Sequence, residues 1–258
     1  MGLMISVLDD IYRCDFSRLE DLVVQGVHDL ADLAGPSWAE YRICLKARKP
    51  KMTCLKEQEE LCKKSDHIVS KVLRVTTGAL EKLMESRPKL KVLQLFRNPF
   101  AIINSRTESK GYPVKDFAAN AKNLCQKMFW DYQGSLELQK RFPNRVKMIF
   151  YEDLKSDVAS KMKKLTSFVG MEYDEQEISS LNKVKTNAGK VSNPKVKQTR
   201  ISDNAHWWRT HISMTRYKQV TEKCQDVIKA FNLTQFEDNQ RLTNLAIPEM
   251  VLPQHLRI

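Results

Sequence analysis

An arginine and a serine eight positions apart, Arg97 and Ser105, are the side chains of this sequence best suited to holding an anion. Arg97 follows the apolar run 92–96, and Asn98-Pro99 comes directly after it. A guanidinium presents its N–H donors in a rigid fork that matches the geometry of a phosphate. A serine hydroxyl adds one further donor. These residue types at this spacing therefore predict that the protein binds a phosphate-like ligand.

The elements that must position these two side chains are a strand and a helix. The run 92–96 is almost continuously apolar, as expected for a strand buried on both faces. Asn98 is a good helix N-cap, and Pro99 suits the first helical position because its missing N–H would be unpaired there. Arg97 would then stand at the carboxyl end of a parallel strand, where open α/β sheets bind ligands. On this segment alone, an ordinary strand-to-helix junction with a surface arginine is the alternative.

The segment 91–106 resembles the 3′-phosphate-binding motif of the sulfotransferases that use 3′-phosphoadenosine-5′-phosphosulfate (PAPS). The likeness is greatest to the Golgi carbohydrate sulfotransferases, whose motif has the form Val-Arg-Asp-Pro-Arg-Ala-x-x-x-Ser-Arg. The matching positions are Arg97, Pro99, Ala101, Ser105 and Arg106. Asn98 and Phe100 depart from the Asp and Arg of the motif. The resemblance implies that Arg97 and Ser105 hold the 3′-phosphate of PAPS.

Further segments continue the resemblance in order, from about residue 10 to residue 231. They are Cys14-Asp15-Phe16, the cysteine-bearing run 54–74, Tyr151-Glu152-Asp153-Leu154 and Trp208-Arg209. In the family, a flexible segment before the Trp-Arg pair closes over the nucleotide. Thr199-Arg200-Ile201-Ser202 is similar to part of that segment, so the resemblance implies Arg200 as a third nucleotide contact. A solvated basic loop is the alternative for the lysines of 183–209.

The rest of the chain shows alternating strand and helix patterns. Strands are predicted at about 69–75, 91–97 and 145–151, and helices over 116–141, 156–169 and 217–231. This alternation favours a mostly parallel sheet flanked by helices. The resemblance implies the three-layer, P-loop NTPase-like α/β fold of sulfotransferases, as a single domain over 1–258. Residues 235–258, with little periodicity, are predicted to form a tail over the surface.

The resemblance also implies a loop that the first residues do not contain. The family binds the 5′-phosphosulfate with a loop between its first strand and first helix, rich in Gly, Ser, Thr and Arg or Lys. Before Cys14, the residues of those types are Gly2, Ser6 and Arg13. We therefore expect a fold that lacks its first strand and loop. Either the chain is truncated at its front end, or the loop has been lost together with transfer activity.

The charge of the chain points to anionic partners. The formal net charge is +12 and the pI is about 9.4, which suits nucleotide phosphates, acidic glycans and nucleic acid alike. Nucleic acid is the weakest of these, because the sequence shows no recognisable nucleic-acid-binding module. No stretch approaches the roughly 18 apolar residues that span a bilayer. The resemblance nevertheless implies a Golgi lumenal domain, membrane-anchored in the full-length family members.

The six cysteines and five histidines show no metal-ligating spacing, so no metal is expected. The even cysteine count fits two or three disulfides in an oxidising lumen. The alternative is that several cysteines are small buried hydrophobes. Asn232-Leu233-Thr234 is a glycosylation sequon. His67, His206 and His211 suit a general base, but a lone histidine is more often a packing residue, so none is assigned.

Together these features predict transfer of a sulfuryl group from PAPS to a carbohydrate hydroxyl, with Arg97, Ser105 and Arg200 as nucleotide contacts. A non-catalytic nucleotide- or glycan-binding protein of the same fold is the alternative. The catalytic base stays unassigned. Glu152 and Asp153 follow a predicted strand, where they are expected to fix the next loop through N-cap bonds.

Overall fold

The computed structural model describes residues 3–18, 39–73, 75–108, 116–176 and 205–258. The chain divides into two compact units. The first contains Met1–Val75 and Ala79–Ser86, and the second contains Thr76–Gly78 and Arg87–Ile258. The expectation of a single domain over 1–258 stays a prediction.

The first unit is helical and cross-linked by disulfides. Its helices are α1 (Leu3–Tyr12), α2 (Ala39–Lys46), α3 (Lys51–Lys63) and α4 (Glu81–Ser86). The bridges Cys14–Cys62 and Cys44–Cys54 join its segments. Phe16, Tyr41 and Leu55 are buried around these bridges. Because a core of this size supplies little stability, the covalent links take over part of that role.

The strand predicted at about 69–75 is not present in the described residues. Residues 69–73 and Val75 have no regular structure, and the side chains of Val69 and Leu73 are 79% and 75% exposed. The apolar composition of the segment suggested a buried strand, but a strand forms only beside a hydrogen-bonded neighbour. Within the described part of this unit, no other strand offers that neighbour.

The second unit contains two parallel strands, β1 (Val92–Phe96) and β2 (Val146–Phe150), which are hydrogen-bonded neighbours. Their register pairs the first residues of the two strands with each other and likewise the last residues. Parallel strands need a long crossover connection, which α5 (Pro99–Glu108) and α6 (Phe117–Arg141) provide. The predicted α/β class, a parallel sheet accompanied by helices, is confirmed for the described residues.

The later helices of this unit are short, except for one of 12 residues after the second strand. They are α7 (Tyr151–Ser156), α8 (Val158–Val169), α9 (Trp208–His211), α10 (Met214–Lys223), α11 (Gln225–Ala230) and α12 (Asn239–Thr243). Two 3₁₀ turns, Thr77–Leu80 and Gln254–Leu256, complete the described elements.

Helix α6, with 25 residues, makes several of the contacts that hold the second unit together. Asp116 caps its N-terminus by accepting a hydrogen bond from the backbone N–H of Ala119 at 2.9 Å. Near its centre, Gly134 lies against the backbone of Gly78. A Cβ atom at position 134 would come within 2.9 Å of the Gly78 nitrogen, so this contact requires glycine. The Cys125–Cys224 disulfide ties the helix to the junction of α10 and α11.

Stacked aromatic rings hold the first turn of α5. The ring of Phe100 stacks on those of Trp208 and Tyr217, with centroid separations of 5.2 and 4.7 Å. All three side chains are at least 98% buried. Phe100 occupies a position where the family motif has arginine, and here its role is to pack the helix onto the core.

The prediction that residues 235–258 form a surface tail was wrong, because several of their side chains are buried. Phe236, Leu242, Leu252 and Leu256 belong to the core of the second unit. The segment contains only short regular elements, α12 and the 3₁₀ turn Gln254–Leu256, and a buried side chain satisfies several of its carbonyl groups. The guanidinium of Arg209 donates to four carbonyl oxygens, at 2.7 to 3.2 Å, those of Arg241, Leu242, Asn244 and Ile247.

Candidate functional site

Arg97 lies at the carboxyl end of β1, as the sequence predicted. Its guanidinium carbon lies 4.8 Å from the centre of the Tyr151 ring, in cation–π geometry. Tyr151 is the first residue after β2, so the two strand ends meet at this pair. Burial raises the pKa of Tyr151, and the positive charge of Arg97 opposes that shift. The tyrosine therefore remains neutral beneath the guanidinium at physiological pH.

Asn98 and Pro99 begin α5 as predicted. The side-chain Oδ1 of Asn98 accepts a hydrogen bond from the backbone N–H of Phe100 at 3.0 Å. The backbone N–H of Asn98 in turn donates to Oε1 of Glu152 at 2.9 Å. Asn98 is only 1% exposed. The turn that carries Arg97 is therefore fixed from both sides, by its own cap and by a carboxylate from the neighbouring strand end.

Glu152 is a buried carboxyl group with an altered proton affinity. Burial raises its pKa from 4.5 to about 7, and the negative charge of Glu249 contributes to the increase. The Asn98 N–H and the charge of Arg97 act in the opposite direction. Its Oε2 atom is buried and has no hydrogen-bond partner among the described residues. Rather than capping the next helix, Glu152 supports the turn around Arg97.

Asp153, the other acidic residue after β2, has a structural role. Its Oδ1 accepts from Nζ of Lys161 at 2.5 Å, and its Oδ2 accepts from the backbone N–H of Ile258 at 3.1 Å. Lys161 is itself buried and also donates to Oγ of Ser156. Asp153 thus joins α7 to α8 and to the chain end, and its charge is neutralised by Lys161.

The structure describes one of the other two predicted nucleotide contacts, Ser105, but not Arg200. Ser105 lies on α5 with its side chain exposed. Arg97 and Ser105 therefore lie on consecutive elements, and a shared anion between them stays a prediction. Arg200 lies outside the described residues, together with the basic segment up to residue 204.

The Trp-Arg pair is structural. Trp208 is 2% exposed, and its Nε1–H donates to Oε2 of Glu249 at 2.9 Å. Arg209 is 1% exposed and is directed to backbone carbonyl oxygens. Burial lowers the pKa of Arg209 without removing its charge. Neither side chain is therefore available to a sugar or a purine, and the exposed Trp207 stacks on His211 instead, with centroids 3.7 Å apart.

A cavity beside Glu152 contains residues that the sequence analysis did not assign. Its volume is about 490 Å³, and Glu152, Ser156, His206 and Glu249 are among its lining residues. Nδ1 of His206 lies 3.0 Å from Oε1 of Glu249. Glu249 was missed because it falls in the segment interpreted as a surface tail. The available signal was an acidic residue inside an otherwise apolar stretch, 245–252.

The cysteines form the three disulfides that their even number suggested, and none of the six is free. Among the described residues, no group of three His, Cys, Asp or Glu side chains is placed to hold a metal ion. Within the same described ranges, none of the helices combines the length and the apolar character needed to cross a membrane.

Comparison with known proteins places this geometry in a family. The model of the sulfotransferase domain matches residues 58–245. A segment of the chain is 33% identical over 118 residues to cytosolic sulfotransferase 14 of Arabidopsis thaliana, covering 40% of this chain. The match spans about a third of that relative, 33% of its length. The crystal structure of mouse sulfotransferase SULT7A1 complexed with PAP aligns with 76% of this chain and 84% of its own, at 16% identity and a TM-score of 0.45.

Proposed function

Because the chain belongs to the sulfotransferase family, we propose that it transfers a sulfuryl group from PAPS to a carbohydrate hydroxyl. The family supports the reaction type, and PAP, the nucleotide in the mouse sulfotransferase complex, is the product that PAPS leaves after transfer. The carbohydrate acceptor is supported by the likeness of 91–106 and 151–154 to the Golgi carbohydrate sulfotransferases.

The main support for the proposed donor site is the position of Arg97. It stands at the carboxyl end of a parallel strand, beside the capped N-terminus of α5. Backbone N–H groups at a helix N-terminus and a guanidinium both favour an anion. Arg97 and Ser105 would bind the 3′-phosphate, away from the reacting sulfur. Binding energy of that remote kind positions the donor for in-line attack.

The three disulfides support an oxidising compartment, since cytosolic proteins keep their thiols reduced. We infer that the protein works in the Golgi lumen, although the Arabidopsis relative is named as cytosolic. The test is the thiol content of protein isolated from its native compartment. No reactive thiol before reduction and six after it would support the lumen. Six thiols before reduction would contradict it.

Calorimetry with adenosine 3′,5′-bisphosphate (PAP) tests the donor site. Arg97→Ala should weaken binding by roughly 10- to 100-fold, because a hydrogen bond to a charged group contributes about 1.5–3 kcal/mol. Ser105→Ala should weaken it by about fivefold, because a neutral hydrogen bond contributes about 1 kcal/mol. Arg141→Ala is the matched control, since it also removes a guanidinium lying over an aromatic ring. Equal affinity of the Arg97 and Arg141 variants would refute the assignment.

The second candidate function is binding of the nucleotide or of a glycan without transfer. Transfer of labelled sulfate from PAPS to a neutral glycoside distinguishes the two functions. PAP binding with no transfer by the chain would support the non-catalytic protein.

A further inference from the structure

The cavity next to Glu152 has both polar and apolar lining residues. The polar ones include Glu152, His206 and Glu249, and the apolar ones include Pro248 and Met250. Its volume of about 490 Å³ falls in the range of sites for small molecules. A sugar ring has the same two characters, because its C–H faces are apolar and its hydroxyls need hydrogen-bond partners.

Two of the lining residues, Glu249 and His206, form a close pair. The Glu249 side chain is 3% exposed, and Trp208 fixes one of its oxygens. The other oxygen lies 3.0 Å from Nδ1 of His206. That Nδ1 atom is buried, whereas 40% of the His206 side chain is exposed. The accessible edge of the ring is therefore the one that carries Nε2.

The position of Glu249 determines which ring nitrogen of His206 carries the proton. A buried carboxylate next to Nδ1 favours the tautomer whose proton is on Nδ1. Nε2 is then left with a lone pair at the accessible edge. A histidine held in this way accepts a proton from a hydroxyl group within hydrogen-bond reach.

The cavity adjoins the predicted donor site through a single residue. Glu152 lines the cavity, and its Oε1 accepts the backbone N–H of Asn98. Asn98 directly follows Arg97, whose guanidinium lies over Tyr151, the neighbour of Glu152. A molecule in the cavity would therefore lie beside the turn assigned to the donor nucleotide.

The charges of the lining define the kind of acceptor. The Oε2 atom of Glu152 is buried and has no hydrogen-bond partner among the described residues, and Glu249 adds a second buried carboxyl group to the lining. Two buried carboxyl groups disfavour an anionic ligand, whereas a neutral hydroxyl group can donate to Oε2 of Glu152. Arg257 also lines the cavity, and its Nε–H donates to the carbonyl oxygen of Leu252 at 3.0 Å.

We propose that this cavity is the acceptor site, that it takes a neutral carbohydrate, and that His206 is the catalytic base. The inference rests on the proposed sulfotransferase function. The acceptor oxygen forms a bond to sulfur while the bond between sulfur and the 5′-phosphate oxygen breaks. The electron pair of that bond leaves with PAP. The hydroxyl proton moves to Nε2 of His206, and Glu249 positions the ring.

Substitution of His206 in the whole chain tests the base. His206→Ala should lower kcat for transfer to methyl galactoside by at least about 100-fold, the usual contribution of a general base. The Kd for PAP should stay within about twofold, and added imidazole should restore part of kcat. A structural loss would not respond to imidazole. Wild-type kcat in His206→Ala would overturn the proposal.

His211→Ala is the matched control, because His211 lies on the same short helix region and stacks on Trp207 outside the cavity lining. Its kcat should equal that of the wild type. Glu249→Gln keeps the size of the side chain and should lower kcat with an unchanged melting temperature. It serves as the second variant if His206→Ala fails to fold. Wild-type kcat in Glu249→Gln would remove the positioning role.

Two acceptors with the same ring test the substrate class. Methyl galactoside should be sulfated at least about tenfold more efficiently than the methyl glycoside of galacturonic acid, which carries a carboxylate in place of the C6 hydroxyl, because like charges close together are costly. Neutral methyl 6-deoxygalactoside is the control for loss of that hydroxyl. Preference for the acid would overturn the acceptor assignment while leaving the proposed function intact. A wild-type chain that binds PAP but sulfates neither sugar would refute the transfer function and the role of His206 together.

Discussion

Two arginines of the second unit, Arg97 and Arg209, belong to segments that match the same family, yet they lie in opposite environments. Arg97 is partly exposed at a strand end and faces an aromatic ring. Arg209 is 1% exposed and donates to four backbone carbonyl oxygens, with its guanidinium carbon 4.4 Å from the centre of the Phe236 ring. The first is the proposed ligand contact, and the second is committed to the fold.

The difference shows what decides the role of an arginine in such a protein. Both side chains carry the same charge and the same fork of donors. Arg209 lies where a chain segment without regular structure exposes several carbonyls, so the protein itself supplies the acceptors. Arg97 lies at the carboxyl end of β1, where the proposed nucleotide would bind. Substitutions can separate these roles by comparing stability with ligand affinity.

The largest effect is expected for Arg209→Ala. It leaves four carbonyl oxygens without their donor, and a buried group left unpaired costs about 1–3 kcal/mol. We expect the free energy of unfolding to fall by roughly 3–5 kcal/mol in urea denaturation. Faster hydrogen exchange in 241–247 should accompany the loss. Arg209→Lys should recover only part of it, and a change below about 1 kcal/mol in Arg209→Ala would contradict the structural role.

The next effect concerns Glu152 and pH. Because burial raises its folded-state pKa from 4.5 to about 7, the folded protein binds the proton more tightly than the unfolded chain. The free energy of unfolding should therefore fall as pH rises from about 4.5 to about 7, and level off above that. The contribution is at most roughly 3 kcal/mol, since a tenfold change in proton affinity is worth about 1.4 kcal/mol.

Glu152→Gln is the control for this pH effect, because the amide oxygen can still accept the Asn98 N–H. The difference in unfolding free energy between wild type and variant should change with pH only in the window from about 4.5 to about 7. Other carboxylates titrate equally in both proteins and cancel. A difference that is constant with pH would show that Glu152 is not perturbed.

The sequence predicted the elements around Arg97 because their signals are local, but the expectation that the strand is buried on both faces was wrong, since the side chains of Leu93 and Leu95 are 41% and 55% exposed. An apolar run, an N-cap and a proline within eight residues specify a strand and the start of a helix. The structure has these elements at Val92–Phe96 and Pro99–Glu108. The alternation of elements likewise predicted the parallel pairing of β1 with β2.

The tail and the cavity could not be predicted in that way, because the interactions that order them are distant in sequence. Arg209 is 33 residues from Leu242, and Trp208 is 41 residues from Glu249. No periodicity or cap reports such contacts. The strand prediction for 69–75 was wrong for a related reason. The composition of the segment suggests a strand, but strand formation depends on a pairing neighbour elsewhere in the chain.

A smaller effect is expected for Asn98→Ala at the start of α5. The substitution removes the hydrogen bond to the backbone N–H of Phe100, and loss of an N-cap costs about 1 kcal/mol. PAP affinity should fall as well, because the cap fixes the turn next to Arg97. Asp116→Ala, which removes the cap of α6, should cost similar stability without affecting PAP affinity. Equal losses of affinity in both variants would mean that Asn98 acts only through general stability.

The smallest change in stability is expected for Arg97→Ala, although its effect on PAP binding should be large. The side chain is partly exposed, and an exposed cation–π contact contributes about 0.5–1 kcal/mol. The free energy of unfolding should therefore fall by no more than about 1 kcal/mol in urea denaturation. A loss as large as that of Arg209→Ala would show that Arg97 too is committed to the fold. A small loss of stability with a large loss of affinity assigns the two arginines to different tasks, because only a ligand-directed side chain separates these quantities.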